Sequence, residues 1–207
     1  MKQALIKAPP TKNTLIKLKK QVKFLEEGHN LLERKRELLT RLVYSRIGEY
    51  RKLRKETQDA LARAYRWLGV SQLRMGSRAL QQAALGAGRG LQVDIIPKRS
   101  LGVEYPAITA EQLPLKPMGL LGTDASFDET RKRLAQAAVL LARLGESEMA
   151  LSRLMEEQRK AQKRVNALKY NIIPRYRATI RFIEGQLEEE ERNRLFQIKV
   201  LREGTST

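Results

Sequence analysis

The fold of this chain is decided by residues 15–67, which read LIKLKKQVKFLEEGHNLLERKRELLTRLVYSRIGEYRKLRKETQDALARAYRW. Taking every seventh residue gives a stripe that is apolar except at Arg46: Leu18, Leu25, Leu32, Leu39, Arg46, Leu53, Ala60 and Trp67. A repeat that keeps a period of 3.5 residues over this distance is typical of a coiled coil. At about 1.5 Å per residue, such a helix would extend on the order of 100 Å. The sequence therefore predicts a long helix that needs a second helix along its apolar seam.

That second helix is predicted in the C-terminal part of the chain. Ser126 and Glu129 have the spacing of a capping box at its start. Farther along, apolar residues recur at a spacing of eleven, which favours straight or right-handed winding: Val165, Tyr176, Leu187 and Ile198. Pro174 lies within this helix and is expected to kink it or to break one turn.

The middle of the chain has no heptads and is rich in Gly and Pro. Its short apolar or alternating runs 91–96 and 101–105 flank Pro97–Ser100, which predicts a β-hairpin with a connection of four or five residues. The predicted fold class is all-α, a long antiparallel two-helix coiled coil with a small mixed middle segment that contains a short β-hairpin. Its predicted parts are an N-terminal extension 1–10, a first long helix 11–82, the middle segment 83–125, a second long helix 126–203 and a tail 204–207.

Charge is distributed unevenly along the 207 residues, whose formal net charge is +18. Residues 1–80 carry 20 Lys and Arg side chains against 7 Asp and Glu, a net charge of +13. Such a basic helix needs an acidic partner or a polyanion beside it. The chain has no cysteine and no apolar run long enough to span a membrane, which favours a cytoplasmic location.

Residues that could perform chemistry are sparse in this sequence. Its only histidine, His29, falls on the predicted seam, where a structural role outweighs that of a ligand or base. No paired carboxylates, metal-ligand cluster or nucleophile with its base can be assembled from the spacing. We therefore expect no catalytic site, no cofactor and no bound metal.

Two blocks of residues carry a resemblance to a known family. The first block is Pro10-Thr11-Lys12 with the heptad leucines, and the second is Arg164-Val165-Asn166-Ala167-Leu168, followed by Ile173-Pro174 and Thr179-Ile180-Arg181-Phe182-Ile183. In order and spacing, these blocks resemble the D subunit of V-type and archaeal-type (A-type) ATPases. The similarity covers both long helices and, more loosely, the middle segment.

The resemblance implies a rotor shaft in the central stalk of an ATPase or ATP synthase. In that family the coiled coil stands inside the ring of A and B subunits, binds the F subunit, and rests on the funnel-shaped subunit (C or d) that caps the membrane rotor. Contact with the membrane is therefore expected to be indirect. The residues expected to meet acidic positions of the A/B ring are Lys163, Arg164, Arg175, Arg177 and Arg181, and those expected to influence the register or path of the coil are Asn166 and Pro174.

Two other functions remain open from the residues alone. The charge of residues 1–80 would suit a nucleic-acid-binding coiled coil, although the aromatic side chains that stack on bases are few, so no nucleic acid is expected as a partner. A purely structural scaffold or tether would also use a long coiled coil.

Overall fold

A computed structural model of the chain describes residues 6–115 and 122–204 and is dominated by helices. Helix α1 spans Lys12–Met75 and helix α2 spans Ser77–Gly86; the strands are β1 (Leu91–Ser100) and β2 (Val103–Gln112). Helix α3 (Ala125–Ala167) leads through a π-helical turn, Leu168–Ile172, into helix α4 (Ile173–Gly204). The predicted fold class is confirmed: two long helices and a small antiparallel hairpin between them. Residues 1–5 of the predicted extension and 205–207 of the predicted tail lie outside the described residues.

The first long helix ends earlier than residue 82. Gly76 separates α1 from α2 with a φ of +79°. This left-handed region favours glycine, because a side chain with a Cβ is strained there. A break at Gly76 is not predicted by the heptad pattern, whose last apolar member is Trp67.

The chain divides into two compact units. Unit one comprises Met1–Leu38 and Gln158–Thr207, and unit two comprises Leu39–Glu157.

In unit one, α1 runs antiparallel to the last part of α3 and to α4. Leu18 and Val22 of α1 are buried, as are Val165 and Ile183 on the returning chain. These residues occupy heptad positions, so the seam predicted from residues 15–67 buries its apolar side in this unit. At about 25 cal/mol per Å² of apolar surface, this burial is the main stabilising contribution available to a two-helix arrangement.

One extra residue interrupts the heptads of the returning chain at the π-helical turn. Before the turn, the inward-facing positions are Gln158, Ala161, Val165 and Leu168; after it, they are Ile173, Tyr176, Ile180, Ile183 and Leu187, each buried or half-buried. Continuation of the first set would place its next member at residue 172, one position before Ile173. The Ile173 N–H donates to the Leu168 carbonyl, five residues back, which absorbs the extra residue and returns the apolar side chains to the seam.

Pro174 follows this π-helical turn directly. Its nitrogen has no hydrogen, and in an α-helix its ring would crowd the carbonyl of Tyr170. A wider π turn relieves that crowding, so the irregularity expected at Pro174 takes this form. Of the predicted eleven-residue spacing, Val165, Tyr176 and Leu187 face the seam, whereas Ile198 is exposed, and the first interval contains the extra residue.

In unit two, α1 and α3 pack through small side chains. Ala60, Ala64 and Ala137 form a buried cluster, against which Leu61 and Leu140 pack. Alanine at such positions lets two helix backbones approach closely, because there is no side chain beyond Cβ to separate them.

The hairpin also belongs to unit two, and its turn differs from the predicted one. Pro97–Ser100 lies within β1, and the strands are joined by only two residues, Leu101 and Gly102, with φ values of 50° and 77°. Positive φ at both positions is the geometry of a tight hairpin turn. The strands pair in register from Leu91 opposite Gln112 to Ser100 opposite Val103. Val103 and Tyr105 of β2 are buried, and the Ile108 N–H donates to Glu146 Oε2 of α3 at 3.1 Å.

Helix α3 is capped by Asp124, and the predicted capping box at Ser126 is wrong. The helix begins at Ala125, and Asp124 Oδ2 accepts from the Ser126 hydroxyl at 2.6 Å and from the Ser126 N–H at 3.4 Å. These hydrogen bonds, followed by the neighbouring Arg74, lower the pKa of the Asp124 carboxyl. Ser126 is itself buried. Its hydroxyl donates to Asp124, and its carbonyl accepts from the Ser71 hydroxyl of α1.

Candidate partner-contact surfaces

Three ion pairs at heptad spacing join α1 to α4 along one edge of unit one. Lys12 pairs with Glu191 and Lys19 with Glu184, each at 2.7 Å between Nζ and Oε1, and Glu26 pairs with Arg177 at 2.5 Å. Each step moves seven residues along α1 and seven residues back along α4, as expected of an antiparallel coiled coil. The hydrogen bond and the charge of Lys12 lower the pKa of the Glu191 carboxyl. We call these six residues the ion-pair ladder.

The polarity of the ladder reverses at its third step. A slip of one heptad in one direction would set Lys19 opposite Arg177, and a slip in the other direction would set Glu26 opposite Glu184. Either slip would therefore replace attractive pairs with one repulsive pair. Charge patterns of this kind select one register against its neighbours. The ion-pair ladder was not predicted from the sequence. The heptad spacing of charged residues at 12, 19 and 26, and of opposite charges at 191, 184 and 177, could have indicated it.

The two predicted register residues lie close to one another on the returning chain of unit one. Asn166 is exposed and accepts from Gln162 Nε2 at 2.8 Å, while Gln162 Oε1 accepts from Arg36 Nη1 of α1 at 2.9 Å. Asn166 therefore reaches α1 through a polar relay outside the buried seam. Pro174 is half-buried beside the π-helical turn.

The predicted ring-contact cations have different surroundings. Lys163, Arg164 and Arg181 are exposed and make no ion pair with any residue in the described part of the chain. Arg177 is held by Glu26, and Arg175 is half-buried, with its carbonyl accepting from the Thr179 hydroxyl at 2.9 Å. Lys163, Arg164 and Arg181 are consequently the cations of this set that present their charge outward.

The C-terminal end of α4 extends past the start of α1. Lys12, the first residue of α1, pairs with Glu191, whereas the preceding segment turns back along α4, so that the Ile6 N–H donates to Thr179 Oγ1 at 3.0 Å. Beyond Glu191, α4 exposes five large apolar side chains, Leu195, Phe196, Ile198, Val200 and Leu201. Apolar clusters exposed in this way mark sites of protein contact.

A hydroxyl cluster fixes α1 against α3 in unit two. Ser71 Oγ lies 2.7 Å from Thr130 Oγ1 and 2.8 Å from the Ser126 carbonyl, to which the Thr130 hydroxyl also donates. All three residues are buried. This cluster is satisfied internally and was not predicted, because the sequence cannot say which serines and threonines face one another.

Residues 6–115 and 122–204 offer little that could perform chemistry. Within them no group of three or more His, Asp or Glu side chains is arranged to hold a metal ion. His29 is half-buried, and its Nδ1 lies 3.5 Å from Asn30 Oδ1. None of the helices in this part of the chain combines the length and apolar content that crossing a membrane requires.

The helices and their outer surfaces define an antiparallel coiled-coil protein with charged outer faces and an apolar C-terminal end. A family model for the D subunit of ATP synthase matches residues 14–203. The chain belongs to this family of ATP synthase D subunits, which confirms the resemblance found in the sequence.

Individual relatives agree with this assignment. The A-type ATP synthase D subunit of Pyrococcus furiosus is 34% identical over 199 residues, covering 94% of this chain and 93% of its own length. The V-type ATP synthase D subunit of Thermotoga neapolitana is 36% identical over 195 residues, covering 94% and 96%. The A-type ATP synthase D subunit of Methanosphaera stadtmanae is 34% identical over 197 residues, covering 93% and 92%. The chain is thus a component of a V/A-type ATPase or ATP synthase.

Proposed function

We propose that this chain is the central-stalk shaft of its complex, transmitting torque between the A/B catalytic ring and the membrane rotor. ATP hydrolysis or synthesis takes place in the ring and ion transport in the membrane, and this chain couples them without a catalytic residue of its own. Its location is cytoplasmic, peripheral to the membrane. The proposed partners are the A and B subunits, the F subunit and the funnel-shaped subunit (C or d), with no nucleic acid.

The observation that carries this proposal is the apolar end of α4. Leu195 and Phe196 are each 68% exposed. A helix end with so much apolar surface in water is stabilised when a partner surrounds it. A ring of A and B subunits offers such an enclosure, so we expect the C-terminal end of α4 to lie inside it.

The ion-pair ladder supports the mechanical role. A shaft must hold one register under load, and the ladder makes a one-heptad slip electrostatically unfavourable. The buried seam supplies cohesion, while exposed pairs contribute about 0–1 kcal/mol each. The ladder therefore serves the choice of register more than the total stability.

Ring contact by the exposed cations is the part of the proposal open to directed mutation. A shaft favours one conformation of each catalytic interface by contacting it differently as it turns. Lys163, Arg164 and Arg181 present charge outward for this purpose. Arg177 is engaged with Glu26, so it reaches a partner only by sharing that carboxylate or leaving it.

In unit two, exposed leucines support contact with the stalk partners. Leu73 near the end of α1 and Leu85 near the end of α2 are both 89% exposed. Helix α2 buries none of its side chains. We assign this end of unit two to the F subunit and the funnel-shaped subunit.

Native mass spectrometry of the chain with its cognate A and B subunits tests the proposal. The expected species contains one copy of this chain with three A and three B subunits, and addition of F adds one copy more. Failure to bind the ring, with retention of co-purifying RNA or DNA, would instead favour the nucleic-acid-binding coiled coil. Assembly with full ATPase turnover in the chain's absence would favour a scaffold.

Charge reversal tests the proposed contact face. Arg164→Glu with Arg181→Glu is expected to weaken docking or lower turnover, because two outward cations would become anions. Lys20→Glu with Lys23→Glu changes the net charge by the same amount at exposed positions of α1, and this double variant is the matched control. Equal effects of the two double variants would indicate that only overall charge matters.

A further inference from the structure

A long groove lies between α1 and α3 in unit two. Its volume is about 680 Å³, and its wall on α1 comprises residues at helical spacing from Ile47 to Gln58. The distance along the helix axis from Ile47 to Gln58 is about 16 Å, or three turns, at about 1.5 Å per residue. The groove is consequently elongated along the helix axis, a shape that suits a helical segment better than a compact ligand.

The walls of this groove are apolar and half-buried. Ile47 and Tyr50 contribute from α1, and Leu151 and Met155 contribute from α3. Methionine is flexible and adapts its shape to a partner's side chains. These walls leave apolar surface in water that an apolar stripe of a partner would cover.

The rim of the groove is basic. Arg51, Arg54 and Lys55 line it, all three are exposed, and none forms an ion pair with another residue of the described part of the chain. Asp59 is the one acid that lines the groove, at its far end on α1. Cations without partners beside an apolar wall attract an acidic surface that also carries apolar side chains.

We propose that this groove binds an acidic amphipathic helix of a protein partner. Its apolar stripe lies on Tyr50, Leu151 and Met155, and its carboxylates pair with Arg54 and Lys55. Charge complementarity selects the acidic partner, while the apolar walls favour a protein over a nucleic acid, because a phosphodiester backbone cannot cover them. The site involves none of the candidate cations of unit one and goes beyond the torque role.

A defined peptide tests the proposal on the full chain. The probe is a fluorescein-labelled peptide of about 20 residues, with Leu at i, i+3, i+4 and i+7 and Glu on the remaining faces. Fluorescence anisotropy is measured at moderate salt for this peptide, for polyglutamate of equal length and for a single-stranded oligonucleotide. The patterned peptide is expected to bind about tenfold tighter than polyglutamate or the oligonucleotide.

Matched variants locate the site. Arg54→Glu with Lys55→Glu is expected to weaken peptide binding about tenfold or more, whereas Lys20→Glu with Lys23→Glu leaves it within about twofold. Circular dichroism checks that both variants keep their helices, and Arg54→Gln with Lys55→Gln replaces the first variant if it unfolds. Absence of peptide binding, equal loss in both variants, or equal affinity for polyglutamate or the oligonucleotide would each overturn the proposal.

Discussion

Arg177 of α4 pairs with Glu26 of α1 at the step where the ion-pair ladder reverses its polarity, with 2.5 Å between Nη2 and Oε1. A residue that the sequence suggested for contact with a partner is thus already engaged in joining the two helices. Intramolecular pairing and partner contact can be separated experimentally, because the pair can be inverted.

Exchanging the two charges of this pair should restore the free energy of unfolding that is lost when either charge is reversed alone. Glu26→Arg and Arg177→Glu each place like charges together, and each is expected to lower the free energy of unfolding by about 0.2–1 kcal/mol, since both side chains are partly exposed. The double variant should recover most of this loss in urea denaturation at low salt. Persistence of the full loss in the double variant would contradict the pairing. If ring docking remains impaired in the double variant, Arg177 also contacts a partner.

The buried hydroxyl cluster should contribute more to the free energy of unfolding than a buried hydroxyl that bonds within its own helix. Thr130→Val removes a hydroxyl that contacts Ser71 across the helix pair, and we expect a loss of about 1–2 kcal/mol because polar partners are left buried. Thr57→Val is the matched control, since Thr57 is equally buried but donates only to the Leu53 carbonyl of its own helix. Urea denaturation should give the control a clearly smaller loss. Equal losses would show that the cross-helix contact contributes little.

Removing the extra residue should be tolerated at the π-helical turn and not elsewhere. Deletion of Asn171 combined with Pro174→Ala restores an uninterrupted α-helix with Ile183 still on the seam, so helicity and melting temperature should be kept or raised. Deletion of Arg153, an exposed residue upstream, should lower the melting temperature strongly. It turns the buried residues Leu154, Ala161 and Val165 away from their positions. A similar loss from both deletions would contradict the assignment of the extra residue.

Acid should weaken the cap of α3 through Asp124. Its pKa is lowered in the folded chain, so its contribution is present above the unfolded pKa of about 3.9 and is lost as the pH falls through the lower folded value. Asp124→Asn keeps a capping side chain but removes this titration. Its melting temperature should therefore fall less than that of the wild type between pH 5 and about pH 2. Asp59→Asn, which removes an exposed carboxylate elsewhere, should follow the wild-type profile more closely.

The hairpin turn should tighten when Leu101 becomes asparagine. Leu101 has a φ of 50°, which costs an ordinary side chain about 1 kcal/mol and suits asparagine before glycine. Leu101→Asn is expected to slow hydrogen exchange of the β1 and β2 amides. Gly102→Ala should speed exchange, because the φ of Gly102 is also positive. Faster hydrogen exchange in Leu101→Asn would show that packing of the half-exposed leucine side chain stabilises the hairpin more than the turn geometry destabilises it.

Much of this fold can be predicted from the amino-acid sequence because coiled coils are periodic. Leu18 and Leu39 lie three heptads apart, Val22 occupies the second apolar position of the heptad, and all three are buried. The family could also be recognised from the residues around Val165 and Pro174, and the charge of residues 1–80 indicated a protein that needs partners. These features depend only on the order and spacing of residues along the chain, which the sequence contains.

Other features depend on which residues meet. The capping box at Ser126 was a good local pattern, yet Asp124 is the cap and Ser126 is buried against Ser71, because the packing of α1 on α3 decides which oxygen faces the helix end. The π-helical turn could not be read from Pro174 alone, since proline permits a kink, a break or a wider turn.

The sequence by itself therefore determined the two long helices, the hairpin between them and the family, because periodicity and ordered motifs are properties of the chain. Only the tertiary structure decided the register of the helices, the extra residue at Leu168–Ile172, and which of the predicted ring-contact cations is held in an ion pair. Arg177 and Arg181 are one turn apart and chemically identical, and only the position of Glu26 distinguishes them. Such differences arise from distances across the fold, which the order of residues does not specify.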